Sequence, residues 1–218
     1  MIARPKTPIV LLSAMTVLFF IEEAVVNLLP GSRLLLALCK GLTSLCPALL
    51  CLLGTRRSPS RLHIGLCLSL FACLVGDVAI NLSMLAGIAL FAGAHVMLCA
   101  VFFRTRPPVT WQLALWIGLD ALFIALAFAS RKKAGSLMLP AMGYILVLCA
   151  MLTLALRQRP LLAVGAFIFA LSDFLLARNA IMTRTPLSHF ISLGVYYAAV
   201  GLMALTPWRS APAQQVRA

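Results

Sequence analysis

Eight long apolar runs, separated by short clusters of proline, glycine and basic residues, make up almost the whole chain. The runs are continuous rather than alternating, and each is close to the roughly 20 residues that a helix needs to cross a bilayer. The pattern predicts an all-α polytopic membrane protein, with eight transmembrane helices in one bundle and a single membrane domain over residues 1–218. The predicted spans are about 8–29, 33–53, 62–83, 86–103, 110–130, 136–156, 161–180 and 187–206, followed by a polar tail at 207–218.

Composition agrees with a membrane protein and excludes a soluble domain. Of the 218 residues, 63% are hydrophobic and 11% are charged, and the mean hydropathy is +1.06. Soluble domains have about 45–50% apolar and about 25% charged residues. A net charge of +13 is typical of a nucleic-acid-binding protein, but most Lys and Arg residues lie between the apolar runs. We therefore expect contacts with membrane lipids and no nucleic-acid partner.

The basic residues also predict the orientation. Eight spans place both termini on one side, which carries 11 of the 18 Lys and Arg residues, whereas the opposite side carries six. The positive-inside rule then places both termini in the cytoplasm, in an integral protein of the cell (inner) membrane.

We expect the first apolar stretch to be retained as a span, because no small-residue cleavage site follows it. The seven cysteines all lie in apolar runs and indicate no disulfide or metal framework.

Spans three and seven resemble each other, as LFACLVGDVAIN and AFIFALSDFLLARN. Aligning Asp77 with Asp173 gives an offset of 96, and the same offset brings Glu23 of the first span to within one residue of Asp120 in the fifth. Four spans followed by a similar four would form a parallel 4+4 internal repeat, since an even number of spans returns the chain to its starting side.

Acidic residues occur only inside apolar runs, at Glu22, Glu23, Asp77, Asp120 and Asp173. A charged side chain at the bilayer centre costs roughly 2.5–3.5 kcal/mol on insertion scales, so acids in such positions indicate functional residues. A structural role stays open as well. Asp77 and Asn81 are four residues apart on one helix face and could simply bond to a neighbouring helix.

Polar residues from different spans fall at a common depth. At about 1.5 Å of rise per residue, Asp77 lies roughly 9 Å and Asp173 roughly 10 Å from the outer end of its span. Asp120 lies near mid-span. Five more polar residues lie roughly 10–15 Å from the outer surface, namely Lys40, His95, Tyr144, Tyr196 and Tyr197. A shared layer predicts a water-accessible cavity that opens outward or sideways into the outer leaflet.

Packing is the alternative interpretation of these polar residues. Lys40 can act as the counter-ion of a carboxylate, and His95 can be a hydrogen-bonded core histidine. The tyrosines can be packing residues with bonded hydroxyls. His63 and His189 lie near span ends and are interpreted as interfacial.

At these positions the chain resembles the YhhN-like lysoplasmalogenase family. GAFIFALSDFLLARN in span seven matches the family's G-A-x-x-F-x-x-S-D run, and Gly76-Asp77 matches its Gly-Asp. Lys40 begins CKGLTSL, where the family usually has Lys-Pro and this chain has Gly41. Further matches, in the family's order, are His95 in FAGAHVMLCAVFF, Tyr144 in GYILVLCAML and Tyr196-Tyr197 in YYAAVGLMAL.

The resemblance implies a membrane hydrolase with a lysophospholipid substrate. Such an enzyme cleaves the vinyl ether bond of lysoplasmenylethanolamine or lysoplasmenylcholine and releases a fatty aldehyde and a glycerophospho-base. Asp77 and Asp173 are then the expected general acid/base pair, and His95 and Tyr144 would orient water or relay protons. The expected substrate-binding residues are Lys40, Asn81, Asp120, Tyr196 and Tyr197.

We expect no metal and no organic cofactor, since the chemistry requires only acid and base groups and no HxxxH or HExxH motif is present. Two alternatives remain open. A lipid or small-molecule transporter could use the same intramembrane charges, and a non-catalytic membrane protein could use them to hold its bundle together. None of these features predicts the oligomeric state.

Overall fold

A computed structural model describes residues 6–29, 31–129, 132, 135, 138–181 and 185–210. In this part of the chain the helices are α1 (Thr7–Leu28), α2 (Arg33–Arg57), α3 (Arg61–Leu82), α4 (Met84–Thr105), α5 (Thr110–Ala129), α6 (Met138–Ala155), α7 (Pro160–Ile181) and α8 (Pro186–Ala204). A 3₁₀ turn, Trp208–Ser210, follows α8. All eight helices are long and apolar enough to cross a membrane. The predicted all-α membrane bundle is confirmed, and the predicted span bounds agree with the helix bounds to within four residues.

Some of the basic residues used for the orientation lie outside the described residues, and so does the tail beyond residue 210. They are Arg4, Arg131, Lys133, Arg184 and Arg217. The cytoplasmic position of the termini therefore stays a prediction.

Short polar residues set the helix ends. Ser83 is the single residue between α3 and α4. Its hydroxyl accepts a hydrogen bond from the N–H of Ala86 at 3.4 Å and so caps the start of α4. Thr185 and Ser188 form a reciprocal capping box at the start of α8. The one-residue turn at Ser83 makes α3 and α4 an antiparallel pair.

Close packing holds this pair together. A Cβ at Gly65 of α3 would overlap with Cγ2 of Val101, and a Cβ at Gly87 of α4 would lie 2.7 Å from Cα of Ile80. Neither position has room for a side chain, so α3 and α4 can pack this closely only because both residues are glycine. The pairing fixes Asp77 on α3 relative to His95 on α4.

The helices form a ring with one peripheral member. Helices α1 to α4 pack in chain order, α4 packs on α6, and α6 to α8 pack in order, with α8 also contacting α1, α2 and α3. Helix α5 packs on α6, and only 6% of its span is buried, compared with 50% of the span of α8. In a 4+4 repeat, α2 would correspond to α6 and α4 to α8, so the contact between α4 and α6 would correspond to the contact between α8 and α2. The repeat stays a prediction.

Candidate active site

Asp77 lies inside the bundle, where donors from two other helices converge on its carboxylate. The hydroxyls of Ser44 on α2 and Tyr196 on α8 each donate to Oδ2 at 2.5 Å. The ammonium of Lys40 on α2 lies 3.4 Å from Oδ1, and the side chains of Lys40 and Asp77 are 12% and 1% exposed. These four residues are called the Asp77 cluster. Its carboxylate accepts hydrogen bonds and has a counter-charge within the bundle.

Asp173 forms a second cluster with residues of α4 and α6. The hydroxyl of Tyr144 donates to Oδ2 of Asp173 at 2.7 Å, and Nε2 of His95 lies 3.3 Å from the same oxygen and 3.0 Å from the Tyr144 oxygen. Tyr144 has a single proton, so the arrangement is satisfied when Nε2 of His95 is protonated and donates to the phenol oxygen. Asp173, His95 and Tyr144, called the Asp173 cluster, form a triangle through which a proton can move.

One small cavity lies between the clusters. Both aspartates, Lys40 and Tyr196 line it, and its volume of about 30 Å³ is close to the volume of one water molecule. Phe169 is fully buried, and its ring packs edge-to-face with two others, with centroid distances of 4.9 Å to His95 and 5.4 Å to Tyr196. The ring of Phe169 therefore lies between the two clusters. The arrangement gives the two carboxylates separate partners beside a common space.

The cavity lies next to the lipid-facing surface of the bundle. Leu176 on α7 lines the cavity, and 38% of its surface is exposed. Exposed apolar side chains on a membrane span face the acyl chains. A lipid tail can therefore approach the cavity from the side of α7.

A third network lies beside the Asp77 cluster, on α1 and α8. The hydroxyl of Tyr197 donates to Oε2 of Glu22 at 2.7 Å, and Nε2 of His189 lies 3.5 Å from Oε1 of Glu23. His189 also lines the cavity. The sequence has three tyrosines, and each donates to a different carboxylate inside the bundle.

The structure brings together six of the nine residues that the sequence analysis singled out, namely the four predicted catalytic residues with Lys40 and Tyr196. The other three lie elsewhere. The amide of Asn81 donates to the Asp77 backbone carbonyl at 2.8 Å, Tyr197 bonds to Glu22, and Asp120 on α5 contacts Cys149 and Trp116. None of the three lines the cavity.

Sequence reasoning missed Ser44 and the place of His189. Ser44 is four residues after Lys40 on α2, so the two share a helix face, and this spacing could have identified it. The interfacial interpretation of His189 rests on its position in the first turn of α8. Its side chain is 14% exposed and faces Glu23 instead. Among the described residues, no group of three or more His, Cys, Asp or Glu side chains is arranged to hold a metal ion.

An eight-span helical bundle with two buried aspartate clusters defines an integral membrane protein with polar chemistry inside the bilayer. The YhhN family model matches residues 35–206, so the chain belongs to the YhhN family. It is 32% identical over 170 residues to the human protein named "Lysoplasmalogenase TMEM86B". The aligned region covers 76% of this chain and 74% of the human protein. No solved structure matches.

Proposed function

We propose that the protein is a lysoplasmalogenase-like hydrolase, which adds water across the vinyl ether of a lysoplasmalogen. The products are a fatty aldehyde and a glycerophospho-base, with ethanolamine or choline as the base. One observation carries the proposal, namely that two aspartates inside the bundle, with different partners, line a single cavity with room for about one water molecule. Similarity to a human lysoplasmalogenase supports the substrate class.

Vinyl ether hydrolysis needs an acid, which protonates the double bond, and a base, which takes a proton from the attacking water. A proton adds to the carbon β to the oxygen, and the positive charge is shared between the adjacent carbon and the oxygen. Water attacks that carbon and loses a proton, which gives a hemiacetal. The hemiacetal hydroxyl then loses its proton and becomes the aldehyde carbonyl, while the bond to the glycerol oxygen breaks and that oxygen takes up a proton. The net reaction consumes one water.

The hydrogen bonds suggest a division of labour between the carboxylates. In the Asp173 cluster, the partners are a phenol and an imidazole, which form a hydrogen-bonded triangle that can relay a proton to the carboxyl group, so Asp173 is assigned as the proton donor. Asp77 accepts from two hydroxyls beside an ammonium, so it is assigned to stabilise the cation and to accept the proton of the attacking water.

Lys40 has two contributions in this scheme. It balances the charge of Asp77 at 3.4 Å, and it lines the cavity, where an ammonium can attract the phosphate of the substrate. The alkenyl chain would approach past Leu176, from the acyl region of the bilayer. Entry from the lipid suits a single-chain substrate that is already dissolved in the membrane.

Aldehyde release by the purified protein tests the proposal. Lysoplasmenylethanolamine and lysoplasmenylcholine are the substrates, and the matched control lipid is a lyso-alkyl ether, which has no double bond to protonate. We expect aldehyde from the vinyl ethers, none from the alkyl ether, and none from folded Asp77→Asn or Asp173→Asn. Absence of aldehyde with well-folded wild type would refute the proposal, and movement of intact lipid across vesicles would then indicate a transporter.

A further inference from the structure

A second and larger cavity lies at the opposite end of α3 from Asp77. Its volume is about 810 Å³, and it lies where the turns α2–α3, α4–α5 and α6–α7 meet. Because each helix crosses once, these turns lie on the membrane face that also holds the start of α1 and the end of α8. Arg61 lines the cavity and is 16 residues before Asp77, so the two sites are about 24 Å apart along α3.

Four arginines from three parts of the chain line this basic cavity, at Arg61, Arg104, Arg106 and Arg159. All four are exposed. The five Asp and Glu residues of the sequence all lie elsewhere, so no acidic side chain lines the cavity. A cluster of this charge attracts an anion, and guanidinium groups favour phosphate because they can donate two parallel hydrogen bonds.

Two features position the arginines in advance. Nη1 of Arg106 donates to the carbonyl of Arg157 at 2.5 Å, and Nη1 of Arg157 donates to the carbonyl of Pro107 at 2.6 Å, so the turns α4–α5 and α6–α7 are joined. Ser60 caps the start of α3 beside Arg61 and also lines the cavity. The N-terminal end of α3 adds a partial positive charge to that of the arginines.

The lining also has an apolar part, which continues to the lipid-facing surface, while Ser58, His63, Thr105 and Gln158 add polar groups. Leu68 and Ile64 of α3 line the cavity with 53% and 48% of their surfaces exposed, and Val101 of α4 lies beside them. A basic rim over an apolar floor matches a phospholipid, with its phosphate at the arginines and an acyl chain along α3. Basic pockets between membrane helices bind anionic lipid head groups in this way.

We propose that the basic cavity binds a phosphate-bearing anion, and that the apolar floor makes an anionic phospholipid its occupant. This site is independent of the proposed hydrolysis. A bound lipid stabilises the folded bundle by mass action, because the unfolded chain lacks the site.

The test is lipid binding by the full chain in detergent, measured as the dissociation constant of phosphatidylglycerol and of phosphatidylcholine by native mass spectrometry. Losing one arginine near a membrane surface weakens anion binding by about fivefold. Arg104→Gln should therefore bind phosphatidylglycerol about fivefold more weakly, and Arg61→Gln with Arg104→Gln about 30-fold more weakly. The matched control is Arg56→Gln, an exposed cation at the end of α2 that does not line the cavity. Circular dichroism of each variant verifies that it is folded.

Wild-type preference for phosphatidylglycerol, lost in the double variant and kept in Arg56→Gln, would support the lipid site. Inorganic phosphate provides the second arm of the experiment. Inorganic phosphate could instead displace phosphatidylglycerol from the wild type but not from the double variant. That result would support the anion site with a soluble phosphate as its occupant. Equal binding of the two lipids by wild type, or an equal loss in Arg56→Gln, would overturn the proposal, because either result indicates general attraction to a basic surface.

Discussion

The ion pair between Lys40 and Asp77 allows the structural and chemical roles of Asp77 to be measured separately. Asp77→Asn keeps the shape of the side chain but removes the carboxylate that lies 3.4 Å from the ammonium of Lys40. Lys40→Met leaves the carboxylate to the hydroxyls of Ser44 and Tyr196. The double variant removes both charges, so it tests whether the bundle tolerates a neutral pair.

Burial sets the expected size of the effects. The side chains of Lys40 and Asp77 are 12% and 1% exposed, so solvent screens the pair weakly. Removing one partner of a buried ion pair costs about 3–5 kcal/mol, whereas replacing both partners by neutral groups is often close to neutral. We expect each single variant to lower the free energy of unfolding by about 3 kcal/mol, and the double variant by about 1 kcal/mol. Independent sites would instead give about 6 kcal/mol for the double variant.

Two measurements on the same variants complete the test. Unfolding by sodium dodecyl sulfate in mixed micelles gives the free energies, and aldehyde release gives the activity. The proposed mechanism predicts no aldehyde from Asp77→Asn or from the double variant, although the double variant regains stability. Full activity of the double variant would refute catalysis by Asp77, and additive losses of stability would refute a coupled pair. Arg33→Met, an exposed cation at the start of the same helix, should change neither quantity.

Three further variants test other parts of the structure. Tyr144→Phe removes the hydroxyl bonded to Asp173, so kcat for aldehyde release should fall by about 10²-fold or more, and an unchanged kcat would contradict the proton-donor assignment. Asp120→Asn should keep kcat and KM within about twofold, since Asp120 does not line the cavity, and a raised KM would restore its predicted role in substrate binding. Gly87→Ala should lower the unfolding free energy by about 1–3 kcal/mol, because the new methyl meets backbone at 2.7 Å, while Gly93→Ala, with nothing within 4 Å, should not.

The spans can be predicted from the sequence because the bilayer imposes one rule on every residue of a crossing helix. An unsatisfied backbone group or a charge costs several kcal/mol in hydrocarbon, so the crossing segments are apolar and the breaks between them carry the prolines and basic residues. The bounds of α1 to α8 follow from that contrast to within four residues. Position inside the apolar runs singles out the two aspartates, His95 and Tyr144, and the family resemblance points to the same residues. The structure places them in two clusters beside one cavity.

Partners across helices are not predictable in the same way, because an apolar run does not show which of its faces is inside. Helix α5 is apolar all round and lies at the edge of the bundle, so Asp120 contacts Cys149 instead of the cavity. Depth alone cannot separate Asp120 from Asp77, since both lie deep within spans. What separates them is the rotation of each helix about its axis, which depends on packing such as the approach of Gly65 to Val101.

The hydrogen bonds of the three tyrosines explain how this bundle holds several carboxylates in a bilayer. Tyr144, Tyr196 and Tyr197 each donate to one buried acid, at Asp173, Asp77 and Glu22. A phenol offers a donor without adding charge, and its ring packs among apolar side chains. At Asp77 the carboxylate has a charged partner as well as the phenol of Tyr196, because the ammonium of Lys40 lies 3.4 Å away. The two aspartates beside the cavity therefore differ in the charge of their partners rather than in their depth. In the proposed mechanism, that difference is the reason why Asp173 is assigned as the proton donor and Asp77 as the acceptor.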